Sequence, residues 1–403
     1  MKNFELIKYN GGLIKSVENK ISVANKLLAL VKSELIPYRI KDKWGFCTKD
    51  KKIVIKCKYQ EVHFYFENLA SVKKDNKWGF IDETGNEIIP CEYEQVYAFV
   101  EGYALVNENG YWGYVNNKGN KIIDCDYIEA YNFKNGLASV SKYGRWGFIN
   151  KDGNEIIKCK YDWTDNFENG LAIVEIDDKQ GYIDLNGNII IDLFYSSVDY
   201  FINGLAMVKD ENKYFQINKE GKKVRSLEYD RIGFFSEGLA EVELDQKYGF
   251  IDHEGDLVIP LKFDYAKGFN NGLAEVSMFE SFTDKSGYID KNDNQIIPFI
   301  FDESTSFFFD GEFAMVKMDT KWGFIDRKGS QLVQCIYDEL NYFHDGLANF
   351  KINNKCGYID KIGRVVLEAI YDEADPFIEG IAKVKFNGQY GYIDKNGEQY
   401  WED

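Results

Sequence analysis

Several residues and patterns that mark particular protein classes are scarce or missing in this 403-residue sequence. It has five prolines and three histidines, and no apolar run near the roughly 18–20 residues of a membrane span. The segment Met1 to Ile14 shows neither the apolar stretch nor the small-residue cleavage site of a secretory signal. The seven cysteines form no C-x-x-C motif. We therefore expect no membrane partner and a cytoplasmic location, where free thiols persist.

The charge and composition indicate a folded, acidic, strand-rich protein. The net charge of −17 argues against a nucleic-acid partner, because such binding depends on Lys and Arg at phosphates. Hydrophobic residues make up 45% of the chain, which excludes bulk disorder. The 35 glycines, 28 tyrosines and 30 phenylalanines are typical of many short β-strands joined by glycine turns.

Two sequence markers repeat along the chain with the same period. The peptide Lys43-Trp44-Gly45-Phe46 recurs with its tryptophan at 78, 112 and 146, which is a step of 34 residues (78 − 44). Later copies follow, with longer steps only into Ser286 and Trp322. The second marker, Gly-Leu-Ala, keeps the same spacing at Gly136, Gly170, Gly204, Gly238, Gly272 and Gly346. Two independent markers with one period identify a tandem repeat.

From about Ile36 to Asp403, these units resemble the bacterial WG repeat, also called the KWG repeat. The resemblance rests on the Trp-Gly and Gly-Leu-Ala markers in register. It implies a repeat array in a bacterial protein, and it carries over no catalytic residues or cofactor.

The unit from Gly136 to Phe167 contains three strand-like runs separated by turn residues. A unit of 34 residues is too short to bury its own core, so neighbouring units must share one. We therefore predict an all-β array of about ten three-stranded antiparallel units in an open solenoid or superhelix. A closed β-propeller is the alternative; it usually has four strands in a blade and at most about eight blades.

The ends divide the chain into an N-terminal segment, residues 1–35, and the repeat array, residues 36–403. Apolar residues recur at spacings of three and four between Ser16 and Leu35, which predicts an amphipathic helix with Ser16 as its N-cap. We expect this helix to cap the first unit; the alternative is docking to a partner.

Aromatic residues supply one group of candidate partner-binding positions. Four lie in loops lengthened relative to the other copies, where repeat proteins often bind: Phe279, Phe282, Phe307 and Phe308. Five occupy the tryptophan of the repeat motif: Trp44, Trp78, Trp112, Trp146 and Trp322. Other copies have Gln180 and Ser286 there, which suggests partial exposure. The alternative for both sets is packing within their own units.

Acidic residues supply the second group. An acid follows the aromatic residue that ends the unit in nine copies: Glu61, Glu94, Glu129, Asp162, Asp230, Asp264, Asp302, Asp338 and Asp372. Stacked units would align these acids into a stripe that attracts a basic partner. Alternatively, each caps its own connector by accepting hydrogen bonds from nearby N–H groups.

No pattern predicts a metal site or a cofactor. Cys57, Cys91, Cys125, Cys159 and Cys335 share one repeat position with Leu, Phe and Ala in other copies, so they are expected to pack as apolar residues. No two histidines occupy equivalent positions.

We predict a non-enzymatic scaffold that binds a protein through an extended repeat surface. Binding of a glycan or the cell wall through the tryptophan ladder is the alternative, and an enzyme is a third possibility. The partner's identity, the oligomeric state and the face used stay open.

Overall fold

The computed structural model describes residues 34–280, 283–305 and 312–403, and the side chains of these residues except 279, 280, 283 and 284. These residues form 43 β-strands and no helix. The predicted all-β class is confirmed.

The strands form small antiparallel sheets with one recurring plan. A short strand, of two residues in nearly every sheet, precedes two longer strands that form a hairpin, and an edge strand of about seven residues follows. The first sheets contain β1 (Ile36–Ile40), β2 (Lys43–Cys47) and β3 (Ile53–Tyr59); β4 (Glu61–Phe66), β5 (Leu69–Lys74), β6 (Lys77–Ile81) and β7 (Glu87–Tyr93); and β8 (Gln95–Val96), β9 (Tyr103–Glu108), β10 (Tyr111–Asn116) and β11 (Lys121–Tyr127).

Four further sheets follow the same order. Sheet 4 has β12 (Glu129–Ala130), β13 (Leu137–Lys142), β14 (Arg145–Asn150) and β15 (Glu155–Tyr161); sheet 5 has β16 (Trp163–Thr164), β17 (Leu171–Ile176), β18 (Lys179–Asp184) and β19 (Ile189–Tyr195). Sheet 6 has β20 (Ser197–Val198), β21 (Leu205–Asp210), β22 (Lys213–Asn218) and β23 (Lys223–Leu227); sheet 7 has β24 (Arg231–Ile232), β25 (Leu239–Leu244), β26 (Lys247–Asp252) and β27 (Leu257–Phe263).

The last sheets complete the series. Sheet 8 has β28 (Tyr265–Ala266), β29 (Leu273–Glu280), β30 (Thr283–Asp290) and β31 (Gln295–Phe301); sheet 9 has β32 (Glu303–Ser304), β33 (Ala314–Met318), β34 (Lys321–Ile325) and β35 (Gln331–Tyr337). Sheet 10 has β36 (Glu339–Leu340), β37 (Leu347–Ile352), β38 (Lys355–Asp360) and β39 (Val365–Tyr371); sheet 11 has β40 (Glu373–Ala374), β41 (Ile381–Phe386) and β42 (Gln389–Asp394), and β43 (Trp401–Glu402) joins sheet 1.

The sheets belong to two compact units. The first contains sheets 1 to 3 with residues up to Asp126 and the C-terminal Tyr400–Asp403; the second contains Tyr127–Gln399 and sheets 4 to 11.

The glycine of each Trp-Gly motif is needed because the edge strand bulges toward it. In sheet 4, Trp146 pairs with Tyr161 and Phe148 pairs with Ile157, so two extra residues of the edge strand face Gly147. A Cβ at Gly147 would lie 2.4 Å from the Ile157 carbonyl oxygen, closer than any side chain tolerates. Sheet 6 has Phe215 in place of this glycine, and there Phe215 pairs directly with Ser226 without that bulge. The Trp-Gly pair therefore sets the register of the edge strand.

Neighbouring sheets share their hydrophobic cores. Between sheets 4 and 5 one cluster joins Trp146, Phe148, Ile157 and Tyr161 to Phe167, Ala172, Val174 and Ile183. Comparable clusters join sheets 1 to 2 and 2 to 3 in the first unit, and each successive pair from sheet 5 to sheet 10 in the second. The core of each repeat thus depends on the next repeat, as its length predicts.

The expected open solenoid of three-stranded units is wrong. Ten of the eleven sheets in the described residues have four strands, because the connector contributes the short strand, and two residues are enough to extend the ladder. In addition, the C-terminal strand β43 pairs in parallel with β1, and Tyr38 Oη donates to Glu402 Oε1 at 2.7 Å. The sheets are the blades of a β-propeller, the alternative fold.

The predicted N-terminal capping helix, Ser16 to Leu35, lies outside the described residues.

Candidate binding surfaces

The acids that follow the edge strands form a clamp between consecutive sheets. Asp372, after β39 of sheet 10, accepts a hydrogen bond from the Gly388 N–H in the hairpin turn of sheet 11 at 2.9 Å. Its other carboxylate oxygen accepts from Lys355 Nζ of sheet 10 at 2.7 Å. The turn N–H donor recurs at Glu94, Asp162, Asp230, Asp302 and Asp338, and the basic partner at Glu94, Asp162, Asp264, Asp302 and Asp338.

These contacts hold the acids in their charged form. The lysine ammonium and then the turn N–H lower the pKa of Asp372 and of Asp338, and the Lys285 ammonium lowers the pKa of Asp302 in the same way. The acids are therefore matched by cations on the same surface, which leaves less negative charge to attract a basic partner than the sequence suggests.

Two of the nine acids lie one residue later in the repeat than the others. Glu61 and Glu129 occupy the first residue of the short strand, as Gln95 does, whereas Glu94 and Asp162 precede that strand. In the first of these copies the turn is capped by Gln60, whose Oε1 accepts from the Asn76 N–H at 2.7 Å. Glu61 instead lies opposite Lys73, with 3.9 Å between the charged atoms. The acids thus occupy two positions rather than one stripe.

The tryptophans of the motif are packed between neighbouring side chains. Trp78 and Trp146 are only 9% and 8% exposed, while Trp44, Trp112 and Trp322 are half-buried. The His63 ring stacks on Trp78 with 4.7 Å between centroids, and Lys73 Nζ lies 5.4 Å from the centroid of the same indole. A ring contacted in this way offers little face for a sugar to stack on.

The phenylalanines of the lengthened loops cannot be placed. Phe282, Phe307 and Phe308 lie outside the described residues, and so does the side chain of Phe279, whose backbone belongs to β29.

A surface that the sequence pattern does not reveal lies on the edge strands. Their second residue is aliphatic in ten sheets, and eight of the ten side chains are more than a third exposed. The residues are Val54, Ile88, Ile122, Ile156, Ile190, Val224, Val258, Ile296, Leu332 and Val366. The sequence does show an aliphatic residue at this position in ten copies. Next to a buried aliphatic residue, however, such a residue would be expected in the core.

A cavity of about 280 Å³ opens between sheets 5 and 6. Its walls include Tyr182, Tyr200 and Phe201, and the exposed Lys219 lies beside it. The Tyr182 hydroxyl donates to the Asp199 carbonyl, so it supports the wall. The lining contains no histidine, cysteine or serine that could act as a nucleophile or base.

The described residues show little else that suggests chemistry. Burial raises the pKa of Cys91 and Cys159 to about 11, so these thiols are neutral at pH 7 and poor nucleophiles. Within the described ranges no three His, Cys, Asp or Glu side chains are grouped closely enough to hold a metal ion. No helix in that part of the chain is both long and apolar enough to cross a bilayer.

Solved structures with similar chain paths have low sequence identity to this chain. A eukaryotic initiation factor is 10% identical, with 82% of this chain and 93% of that chain covered and a TM-score of 0.46. Hsv2p of Kluyveromyces lactis is 10% identical, with 75% and 93% covered and a TM-score of 0.30. No curated protein sequence matches this chain.

The repeats themselves identify the family. Ten segments match the family described as "WG containing repeat": residues 44–78, 78–112, 112–146, 146–179, 181–214, 217–248, 248–278, 287–322, 322–356 and 357–390. These segments cover most of the sequence and begin at or beside the Trp-Gly positions that define each blade. The chain therefore belongs to the WG repeat family.

Proposed function

We propose that this protein is a non-enzymatic scaffold that binds a protein partner through the exposed faces of its edge strands. A propeller of repeated blades suits a binding scaffold in general, since each blade presents a similar surface to the solvent. The observation that carries the proposal is the second residue of the edge strands, which is aliphatic in all ten sheets that have this strand although most of these side chains are exposed.

The aliphatic second residues of the edge strands are highly exposed in the second unit. Ile156, Ile190 and Val224, on three consecutive sheets, are 41%, 43% and 56% exposed. Single exposed aliphatic residues are common, but a repeated set on neighbouring sheets is typical of a surface that another protein covers. Ile88 is an exception, because its half-buried side chain packs against the core that sheets 2 and 3 share.

The edge strands favour recognition by side chains over addition of a strand. Proline stands at the fourth residue in three of them, at Pro90, Pro260 and Pro298, and proline has no N–H to offer a new strand. The bulge opposite the Trp-Gly motif also bends the edge. We therefore place the contact on the aliphatic side chains.

The other two function classes receive less support. A glycan stacked on the tryptophans would have to displace neighbours such as His63 and Lys73. An enzyme would need converging reactive groups, and the lining of the cavity beside Tyr182 contains Glu168 and Lys219 but no histidine, cysteine or serine. The cytoplasmic location remains a prediction.

The test is affinity capture with the full chain as bait in a cell lysate under native conditions. We compare the wild type with a triple variant, Ile156→Ser, Ile190→Ser and Val224→Ser. The proposal expects specific proteins on the wild type and their loss on the triple variant. Because these side chains are exposed, the variant should remain folded.

A control variant, Lys158→Ser with Asp192→Ser, changes exposed residues in two of these three edge strands, β15 and β19. Neither residue is one of the aliphatic second residues. It should capture the same proteins as the wild type. Capture of no protein above a blank matrix, or equal capture by the triple variant, would contradict the proposal.

A further inference from the structure

Two acids inside the second unit occupy the same repeat position in neighbouring sheets. Glu275 of sheet 8 and Glu241 of sheet 7 each follow the alanine of the Leu-Ala marker. Glu275 is 4% exposed, and its Oε2 accepts from Lys267 Nζ at 2.7 Å. Lys267 is placed for this contact by a backbone bond, from its own N–H to the Glu275 carbonyl at 2.9 Å. Sheet 8 thus satisfies its buried carboxylate with a lysine of the same sheet.

Sheet 7 has the same backbone arrangement but lacks the lysine. The residue that donates its N–H to the Glu241 carbonyl, at 2.8 Å, is Gly233. Glu241 Oε2 is buried and has no hydrogen-bond partner in the described part of the chain. Burial raises the pKa of Glu241 to about 7, although the Arg231 charge opposes this rise. One carboxylate therefore accepts a hydrogen bond from a lysine, and its counterpart does not.

Two glycines provide the space that this carboxylate occupies. A Cβ on Gly233 would lie 2.0 Å from Glu241 Oε1, and a Cβ on Gly268 of sheet 8 would lie 3.3 Å from Oε2. Other second-unit sheets carry a side chain at the Gly233 position: Asp165, Asp199, Lys267, Thr305, Asn341 and Asp375. Gly233, Gly268 and Glu241 are all half-buried, so this carboxylate lies near the surface of the second unit, although its Oε2 is covered.

We propose that Glu241, between Gly233 and Gly268, binds one primary ammonium group, supplied by a lysine side chain of the partner protein. This inference rests on the proposed scaffold function and names the partner's chemistry. An ammonium is the cation that sheet 8 uses on the equivalent carboxylate. A single carboxylate is too few ligands for a bound Ca²⁺ or Mg²⁺ ion, and the chain's net charge of −17 attracts cationic partners.

The probe is n-butylammonium chloride, which carries the ammonium and carbon stem of lysine. Thermal unfolding of the full chain is measured at pH 8, where the carboxylate is charged, against equal concentrations of tetramethylammonium chloride, which has no N–H donor. We expect butylammonium to raise the Tm saturably, by about 2 °C, and tetramethylammonium to leave it unchanged.

Two variants assign the effect to this site. Glu241→Gln removes the charge and should abolish the response to butylammonium. Gly233→Lys supplies the missing lysine, since the nearest obstacle is the movable Glu241 carboxylate; it should raise the Tm without amine and abolish the response as well. An equal butylammonium response in both variants, or none in the wild type, would overturn the proposal. The capture experiment reports on the scaffold function independently of either result.

Discussion

Gly187 in sheet 5 lies directly against Ile157 of sheet 4, so that a Cβ built on Gly187 would fall 3.1 Å from Ile157 Cγ1. Gly187 also has a positive φ of 80°. The glycine therefore serves two purposes: it permits the turn, and it lets consecutive blades approach each other.

Gly187→Ala should destabilise the protein by about 2 kcal/mol, because the new methyl group adds a clash to the strain of positive φ. Gly204→Ala is the matched control. Gly204 has a φ of 86°, and a Cβ added to it would meet nothing within 4 Å, so only the strain of about 1 kcal/mol applies. Denaturant unfolding midpoints of both variants measure the difference. Equal losses would show that the contact with Ile157 is unimportant.

Asp372→Ala should lower the thermal unfolding temperature at neutral pH, since the clamp between sheets 10 and 11 is lost. The lysine and turn contacts lower the pKa of Asp372 in the folded state. Its contribution is therefore present above the ordinary carboxyl pKa of about 3.9 and disappears as the pH falls through the folded value. The wild type and the variant should converge below about pH 3.9. The exposed Glu368→Ala is the control, and a gap that stays constant with pH would contradict this account.

Glu241→Gln should stabilise the protein at pH 8. Burial raises the pKa of Glu241 to about 7 in the folded state, above the ordinary value of about 4.3, so its stability contribution is present below about pH 4.3 and lost as the pH rises through 7. Each pKa unit is about 1.4 kcal/mol, which gives an upper limit of about 4 kcal/mol at pH 8. Unfolding is measured from pH 4 to pH 8. The exposed Glu254→Gln, with the same charge change, should show no such slope.

Removal of Tyr400–Asp403 should destabilise the first unit. The deletion takes away the fully buried Tyr400, strand β43, and the Asp403 carboxylate that pairs with Arg39 at 2.9 Å. Arg39 is 4% exposed and would lose this partner, which we expect to cost about 1–3 kcal/mol. Hydrogen exchange of β1 and β2 amides should accelerate, whereas exchange in sheets 5 to 9 should not. Asp403→Ala alone should have a smaller effect.

The sequence contains what is needed to predict the repeat, the all-β class and the shared cores. The period alone shows that one unit cannot bury a core, and the structure confirms this between Trp146 and Phe167. The short strands could not be found in this way. Pairs such as Gln95–Val96 carry no alternation of their own, because two residues cannot show a period.

The pairing of β43 with β1 was equally hidden. The residues from Glu398 to Asp403 look mostly polar, yet Tyr400 is fully buried and β43 pairs with a strand more than 360 residues earlier. The positions of the acids could also be predicted only in part from the sequence. Glu61 and Glu129 lie two residues after an aromatic residue, whereas the acids of the clamp lie one residue after it. Only the backbone pairing shows that these are two different positions in the repeat.

The Glu241 site illustrates why unlike copies are informative. The repeat position that holds Glu241 accepts Ser, Leu, Ile, Met, Asn and Lys elsewhere, so its acid looks like ordinary variation. The environment of this acid depends on two glycines that are not next to it in the sequence. Gly233 lies eight residues before Glu241, and Gly268 lies in the next sheet.

The pairing of β43 with β1 has a consequence for synthesis of the protein. Tyr38 leaves the ribosome 364 residues ahead of Glu402, its hydrogen-bond partner. At the usual rate of 5–20 residues per second, this delay is roughly 20 to 70 s. During that time the nascent chain carries β1 without its C-terminal neighbour. Several ribosomes on one message would therefore hold many β1 strands without β43 close together. Each β1 strand could pair with another nascent chain until its own Tyr400–Asp403 segment has been synthesised.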